Sequence, residues 1–386
     1  MVNSVAKPCK DLETAALLLV NGFCVVLFPG VGAIAFEVKT GEKRSISPPD
    51  VEHTAKGAKD AFVETVRSNT SLVRRHLRTP NLRFYETKVG KHSLTNVSVA
   101  WVEGVTNPKL VERMKKRLDS MVLDGMISPA SVQEAVTGSR ATAFPLLQYT
   151  ERPDSFCQGL LDGRVGLFVD GLPLGYLAPV DVGYLMSSVE DYGRDYVSAT
   201  GVRVLRYLAL LISLLLPALF VALTVHHPHF LTEELAGVVQ KSKADIPFST
   251  VWEVLGLLIA FELLQESGVH LPQSIGQSVS IIGGIVVGTA GAEAGLISSI
   301  TLIMVSVAGV CGFVLPNRDF ATAVRVWRFA LAVLASLWGL TGIVIGLGIL
   351  LLRLARLKSL GVCYLACREP GLLRKRIKYQ KKNTES

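Results

Sequence analysis

Cysteine is scarce and unpatterned in this chain. Six occur, at Cys9, Cys24, Cys157, Cys311, Cys363 and Cys367. Cys363 and Cys367 are four apart with no second ligand pair nearby, so neither a disulfide framework nor a zinc site is expected. The motifs of catalysis are missing as well. No P-loop lysine follows the glycine-rich stretches, no dinucleotide fingerprint opens a helix after a strand, and neither a serine elbow nor HExxH occurs. No enzymatic activity and no cofactor are expected. His226, His227 and His229 gather around Pro228, where the end of an apolar run makes a loop the ordinary reading rather than a metal site. Residues 13–28 have no basic segment before their apolar stretch and no small-residue cleavage site after it, so no signal peptide is expected.

Long hydrophobic runs are present, and they are confined to one region. The chain is 49% hydrophobic and 19% charged over 386 residues, with a mean hydropathy of +0.40. These values are compatible only if the two properties are segregated. Residues 1–200 mix charge, glycine and proline and suffice for a core of their own. From Arg203 to Arg356 the apolar runs reach the ~20 residues needed to cross a bilayer. The net charge of +8 sits largely at the ends of those runs and in the tail after Lys358. This is a positive-inside pattern with both termini cytoplasmic, and it argues for contact with membrane lipid rather than nucleic acid.

The expected organisation is an N-terminal soluble subdomain at 1–85 and a second at 86–200. A multi-pass helical membrane domain at 201–357 and a basic cytoplasmic tail at 358–386 follow. Strand-like and helix-like stretches alternate in the soluble part, which gives an α+β or α/β class. Strands are expected at 96–105, 144–149, 164–169 and 174–179, with helices at 51–78, 108–123, 129–136 and 152–161. Two short strands are expected within 15–37, around Pro29 and Gly30. In the apolar part, candidate spans lie at 204–225, 250–267, 275–292, 296–315 and 325–352. Both termini on one side require an even number of crossings, and 250–267, with three glutamates, is the candidate for not crossing.

Four carboxylates lie in the apolar third. Glu262 and Glu266 share a helical face, Glu253 lies on the other side of the same helix, and Glu293 is farther along. Acids in hydrocarbon usually face a bundle interior or a water-filled path. The alternatives are a cation-attracting or gating face, or wet acids at an interface that pair with Arg325 and Arg328. Two stripes of small residues accompany them: Gly284, Gly288, Gly291 and Gly295, then Ala332, Ala335, Gly339, Gly342 and Gly346. Each reads as one helix face suited to close helix packing.

Several long motifs resemble the A subunit of spore germinant receptors, the GerA family of endospore-forming bacteria. They are FVETVRSNTSLVRRHLRTPNL at 62–82, TERPD at 150–154, GRVGLFVDGLPL at 163–174 and EDYGRDY at 190–196. In the apolar part they are VRVLRYLALLISLLLPALFVALTVHHP at 202–228, FELLQESGVHLPQSIGQSVSIIGGIVVG at 261–288 and SLGVCYLA at 359–366. The resemblance implies a two-part cytoplasmic domain before a helical domain in the spore inner membrane. It also implies a transporter-like B subunit and a lipoprotein C subunit as partners, self-association, and a gated ion channel that starts germination. Glu262 and Glu266 match family positions, whereas Gln265 and His270 stand where the family usually has arginine. Rival readings are an accessory channel protein of the same superfamily and a secondary transporter, which would need an inverted repeat.

Overall fold

The computed structural model describes residues 6–9, 11–20, 23–28, 32–37, 49, 52, 58–120, 124–126, 128–138, 142–269 and 288–365. Gly284, most of the 275–292 candidate span, the Pro29–Gly30 turn and the basic tail from 366 onward lie outside them. The chain divides into two units. One comprises Met1–Thr142, Leu146–Arg194 and Lys358–Ser386, and the other Ala143–Pro145 and Asp195–Leu357.

The first unit is α+β. Its main sheet has five strands in the order β4 (Leu82–Val89), β5 (Thr95–Val102), β7 (Val165–Val169), β8 (Gly175–Ala178) and β6 (Gln148–Thr150), and all neighbours are antiparallel. A smaller sheet of β1 (Ala6–Cys9), β3 (Gly32–Glu37) and β2 (Phe23–Phe28) carries α1 (Leu12–Val20), so the strand pair expected within 15–37 is preceded by a helix. Strand alternation sends Val97 and Val99 to one face of the main sheet, against Leu110, Val111 and Met114 of α3 (Pro108–Ser120) and Val132 of α4 (Pro129–Thr137). Ala100 and Val102 go to the other face. There they meet Leu72 and Val73 of α2 (Val66–His76) and Phe156 and Leu160 of α5 (Pro153–Leu161). With helices on both faces, β7 is buried at every position, which explains its unbroken apolar run.

Local signals fix several boundaries. Ser128 caps α4 by accepting from the Ser131 amide at 3.3 Å, Pro129 fills the first turn, and Gly138 ends it at φ 75°. Of the helix expected over 51–78, α2 is the helical part among the described residues; 58–65 are not helical, and 51 and 53–57 lie outside them. The expected subdomain break at 85/86 falls inside β4, an eight-residue strand paired along its length with β5. Gly166 and Gly175 make room on β7 and β8 for the Phe156 ring, since a Cβ on Gly175 would lie 2.6 Å from Phe156 Cδ2. Gly166→Ala is accordingly expected to overpack this face and cost about 1–3 kcal/mol. Denaturant unfolding of this unit measures it.

The segment after the last long helix belongs to this unit. β9 (Lys358–Ser359) and β10 (Val362–Cys363) form a hairpin whose two turn residues, Leu360 and Gly361, both have positive φ, 47° and 81°, the twist a two-residue hairpin favours. For leucine that backbone is costly, and burial of its side chain in the α3/α4 core offsets it. Ser359 is fully buried. Its hydroxyl donates to the Leu146 carbonyl at 2.6 Å and accepts from the Val180 amide at 2.9 Å. Arg113 Nη1 donates to the Leu360 carbonyl, and the Val182 amide to that of Tyr364, whose ring is also fully buried. The expected tail therefore begins with an integral piece of the first unit's core.

The second unit is helical: α7 (Tyr196–Val221), α8 (Glu233–Lys243), α9 (Thr250–Val269), α10 (Ser299–Phe313) and α11 (Arg318–Arg356). Among the described residues two helices are long and apolar enough to cross a membrane, Tyr196–His226 and Arg318–Arg356. Pro217 lies within the first, and its last turn widens to a π-helix over Ala222–His226. The second is broken at Gly339 (φ 61°, ψ −137°). Its two arms fold onto each other: a Cβ on Gly342 would strike the Leu334 carbonyl, and one on Gly346 would lie 2.8 Å from Leu334 Cδ1. The stripe from Ala332 to Gly346 is therefore not one face of one helix but the facing sides of a helical hairpin. Gly295 likewise leaves its stripe. At φ 64° it ends the helical turns of 288–293, with Leu296 donating back to Gly291 and Gly295 to Ala292. Gly288 packs on Leu302 at 3.1 Å and Gly291 on Ile297 at 3.0 Å.

Candidate functional site

The acids of the helical unit occupy unlike environments. Glu253, in the first turn of α9, has a fully buried side chain. Its carboxylate lies 3.2 Å from Lys243 Nζ at the end of α8 and accepts from the Ser298 amide at 2.8 Å. Lys243 also donates to Thr250 Oγ1, and the Ser298 hydroxyl caps α10 by accepting from the Thr301 amide at 3.1 Å. One carboxylate thus ties together the end of α8 and the starts of α9 and α10. Buried charges persist only where paired and hydrogen-bonded, as this one is. Its position in the sequence shows a lone acid, because its partners come from elements ten and forty-five residues away.

Glu262 is half-exposed and lies 3.4 Å from Arg325 Nη1 in the first arm of α11. Arg325 Nη2 also donates to Thr322 Oγ1 at 2.8 Å. One turn farther along, Arg328 is 3% exposed and donates from Nη1 to the Ala308 carbonyl inside α10 at 3.3 Å. The Nε–H groups of both arginines are buried with no hydrogen-bond partner among the described residues. The pairing of Glu262 with Arg325 is one of the two alternatives the sequence leaves open. Glu266, one turn beyond Glu262, and Glu293 are exposed.

These contacts set helix directions. Glu262 is about 18 Å along α9 from Thr250, Ala308 about 14 Å along α10, and Arg325 and Arg328 roughly 10–15 Å up the first arm of α11 at 1.5 Å per residue. Because Ser298 is braced on Glu253, α9 and α10 start at the same end of the unit and run the same way. The first arm of α11 begins where α10 ends and runs back. Its tip packs on the end of α7, where His226 Nε2 bonds the Ser336 carbonyl at 2.9 Å and His227 Nε2 would touch a Cβ on Gly339 at 3.0 Å. His226 and His227 therefore serve a helix–turn contact, and among the described residues no group of three or more His, Cys, Asp or Glu could hold a metal. The charged cluster of Glu262, Arg325 and Arg328 lies midway along these helices.

In the first unit, TERPD and GRVGLFVDGLPL build polar links rather than a site. Arg152 holds Asp154 through two bonds of 3.0 and 2.6 Å, and Thr150 donates to Glu52 at 2.6 Å. Burial raises the Glu52 carboxyl above its ordinary value despite that bond. Arg164 stacks 3.5 Å over the Tyr184 ring and lies 3.2 Å from Asp181, which caps the short helix α6 (Val182–Leu185). Burial pushes the Tyr184 hydroxyl up to about 12.

The family described as Bacillus/Clostridium GerA spore germination protein matches residues 1–380. A Bacillus subtilis protein described as the uncharacterized membrane protein YfkQ is 37% identical, over 95% of this chain and 71% of its own length. Spore germination protein A1 of Bacillus subtilis is 32% identical over 93% of this chain and 75% of that one. Spore germination protein KA of the same organism is 32% identical over 86%, and the matched part is 61% of its length. The crystal structure of the N-terminal domain of the A subunit of the Bacillus megaterium spore germinant receptor GerK3 is 27% identical. It covers 46% of this chain and 63% of that one, with a TM-score of 0.35. A match over almost the whole chain, with relatives above 30% identity over most of its length, places it: the chain belongs to the GerA family of spore germination proteins.

Proposed function

We propose that this protein is the A-type subunit of a germinant receptor and takes part in nutrient-triggered germination by forming, with further copies of itself, a gated ion path across the spore inner membrane. It works there beside a transporter-like B subunit and a lipoprotein C subunit. Family membership and the names of the relatives support the germination role.

The observation that carries the ion path is Glu262, half-exposed midway along an apolar bundle and beside two arginines. A carboxylate at that depth is too costly to leave against lipid, so its face turns to water or to another protein copy. Glu266 lies on the same face one turn on, while Glu293 falls beyond the cluster and has the weaker claim.

The helix directions suit a bundle in which α7, α9, α10 and the arms of α11 cross the membrane. On this reading 250–269 does cross, and its acids are tolerated because Glu253 and Glu262 are paired.

Spores carrying Glu262→Gln together with Glu266→Gln are expected to release ions after germinant addition more slowly by on the order of tenfold, the effect of roughly 1.4 kcal/mol, at unchanged protein level. Unchanged release, with no current from the reconstituted protein, would remove the conducting role.

A further inference from the structure

We infer that the helical unit holds a small monovalent anion, of chloride size, in its interior as the counter-ion of Arg328. Two guanidiniums there meet one carboxylate. Arg325 takes Glu262 at 3.4 Å, and Arg328, 3% exposed, bonds the Ala308 carbonyl from Nη1 at 3.3 Å. Among the described residues Arg328 makes no ion pair. Residues 270–287, which lie outside them, contain no Asp or Glu to supply one. A guanidinium taken out of water needs a counter-charge as well as hydrogen bonds, and a carbonyl gives only part of the second. A water molecule would satisfy a leftover N–H but not the charge.

The same stretch of α10 provides the room. Val305, Ala308, Gly309 and Gly312 share one face of that helix. Gly309 is buried, yet a Cβ on it would meet nothing within 4 Å, which marks a void beside the peptide that Arg328 reaches. In the helix ladder the Ala308 carbonyl points toward residue 312. Across from Gly312, on α7, the Ser213 hydroxyl is fully buried and lies 3.3 Å from where a Cβ of Gly312 would stand. Neither that hydroxyl nor the buried Nε–H of Arg328 has a hydrogen-bond partner among the described residues. Two unanswered donors and a positive charge beside a methyl-sized void select a small anion. A phosphate is too large for the void, and a cation is repelled.

The test uses the full chain purified in detergent, with sodium gluconate replaced stepwise by sodium chloride at constant ionic strength. Binding of radiolabelled chloride and thermal unfolding are both read. The expected result is saturable chloride binding and a melting temperature that rises with chloride, as a ligand of the folded state requires. Gly309→Val fills the void and leaves every charge in place, so it is expected to abolish the binding in a protein that still unfolds cooperatively. Arg328→Gln is expected to weaken binding by about tenfold or more. Gly348→Val, in open surroundings on the second arm of α11, is expected to bind chloride as the unmodified chain does. Absence of saturable binding by the unmodified chain overturns the inference. Binding that survives in Gly309→Val overturns it too, whether or not Arg328→Gln folds, and so does a melting temperature that is the same in gluconate and chloride. Neither readout needs spores, so these failures are distinct from a failure of the germination role.

Discussion

A chain ending at Leu357 is expected to lose the cooperative fold of its first unit, although it keeps every residue from Met1 to Arg194. The missing segment supplies Leu360 and Tyr364, both buried, and the hydroxyl that satisfies the Val180 amide and the Leu146 carbonyl. Each buried backbone group left without a partner costs about 1–3 kcal/mol, and removing a buried aromatic or leucine side chain costs about 2–5 kcal/mol. Together these match the ~5–15 kcal/mol that stabilises an ordinary domain. A graded version keeps the full chain: Tyr364→Ala is expected to cost about 3–5 kcal/mol. Both are checked by urea unfolding of the first unit. A fragment of 1–194 that unfolds as steeply and as late as the full chain would show that the hairpin is an ornament on a finished core.

The second large effect is expected at Gly342. Here the two arms of α11 meet backbone to backbone, since even a methyl group would strike the Leu334 carbonyl and lie 3.3 Å from the Ala335 amide. The obstacle is main chain inside a helix, so no side-chain rotation relieves it. Gly342→Val should separate the arms and unseat Gly339 from His226 and His227. The effect is of the order of a severe overpacking, about 3 kcal/mol or more. The result expected is a large fall in membrane-inserted protein and faster proteolysis near residue 339. Gly348, by contrast, has open space around it, and Gly348→Val should leave both unchanged. Equal tolerance at the two positions would mean that α11 is a single bent rod rather than a hairpin.

Much of the soluble fold is legible in the sequence because its signals are local. Ser128 before Pro129, the Asp170–Gly171 turn and the amphipathic run of α3 each declare an element within a few residues. β4 is harder to see. As an edge strand it carries Arg83, Glu86 and Lys88 among its apolar residues, as exposed edges do, so its alternation is diluted and the stretch reads as a junction.

The helical unit hides more. Gly339, Gly342 and Gly346 are spaced as on one helix face, and only the excess length of 318–356 hints that the chain turns. The role of Glu253 depends on Lys243 and Ser298, and that of Ser359 on Leu146 and Val180. Such pairings are set by tertiary packing, which the periodicity of a single segment does not encode. The resemblance to the GerA family is legible because it rests on long motifs, and several of them prove to be packing devices: Gly166 beneath Phe156, Arg164 over Tyr184, and Ser359 in the core.

The late position of Lys358 to Tyr364 in the chain also sets a timetable. The main sheet and its helices in the first unit are all synthesised by Arg194, yet the piece that closes its core emerges only after the entire segment Asp195–Leu357 has been made. At roughly 5–20 residues per second, the ribosome takes on the order of ten seconds or more to reach it. During that interval the first unit lacks the buried side chains of Ser359, Leu360 and Tyr364. The last strand pair then acts as a completion check: a copy whose synthesis stops before Tyr364 never acquires a closed first unit, and it is left open to proteolysis.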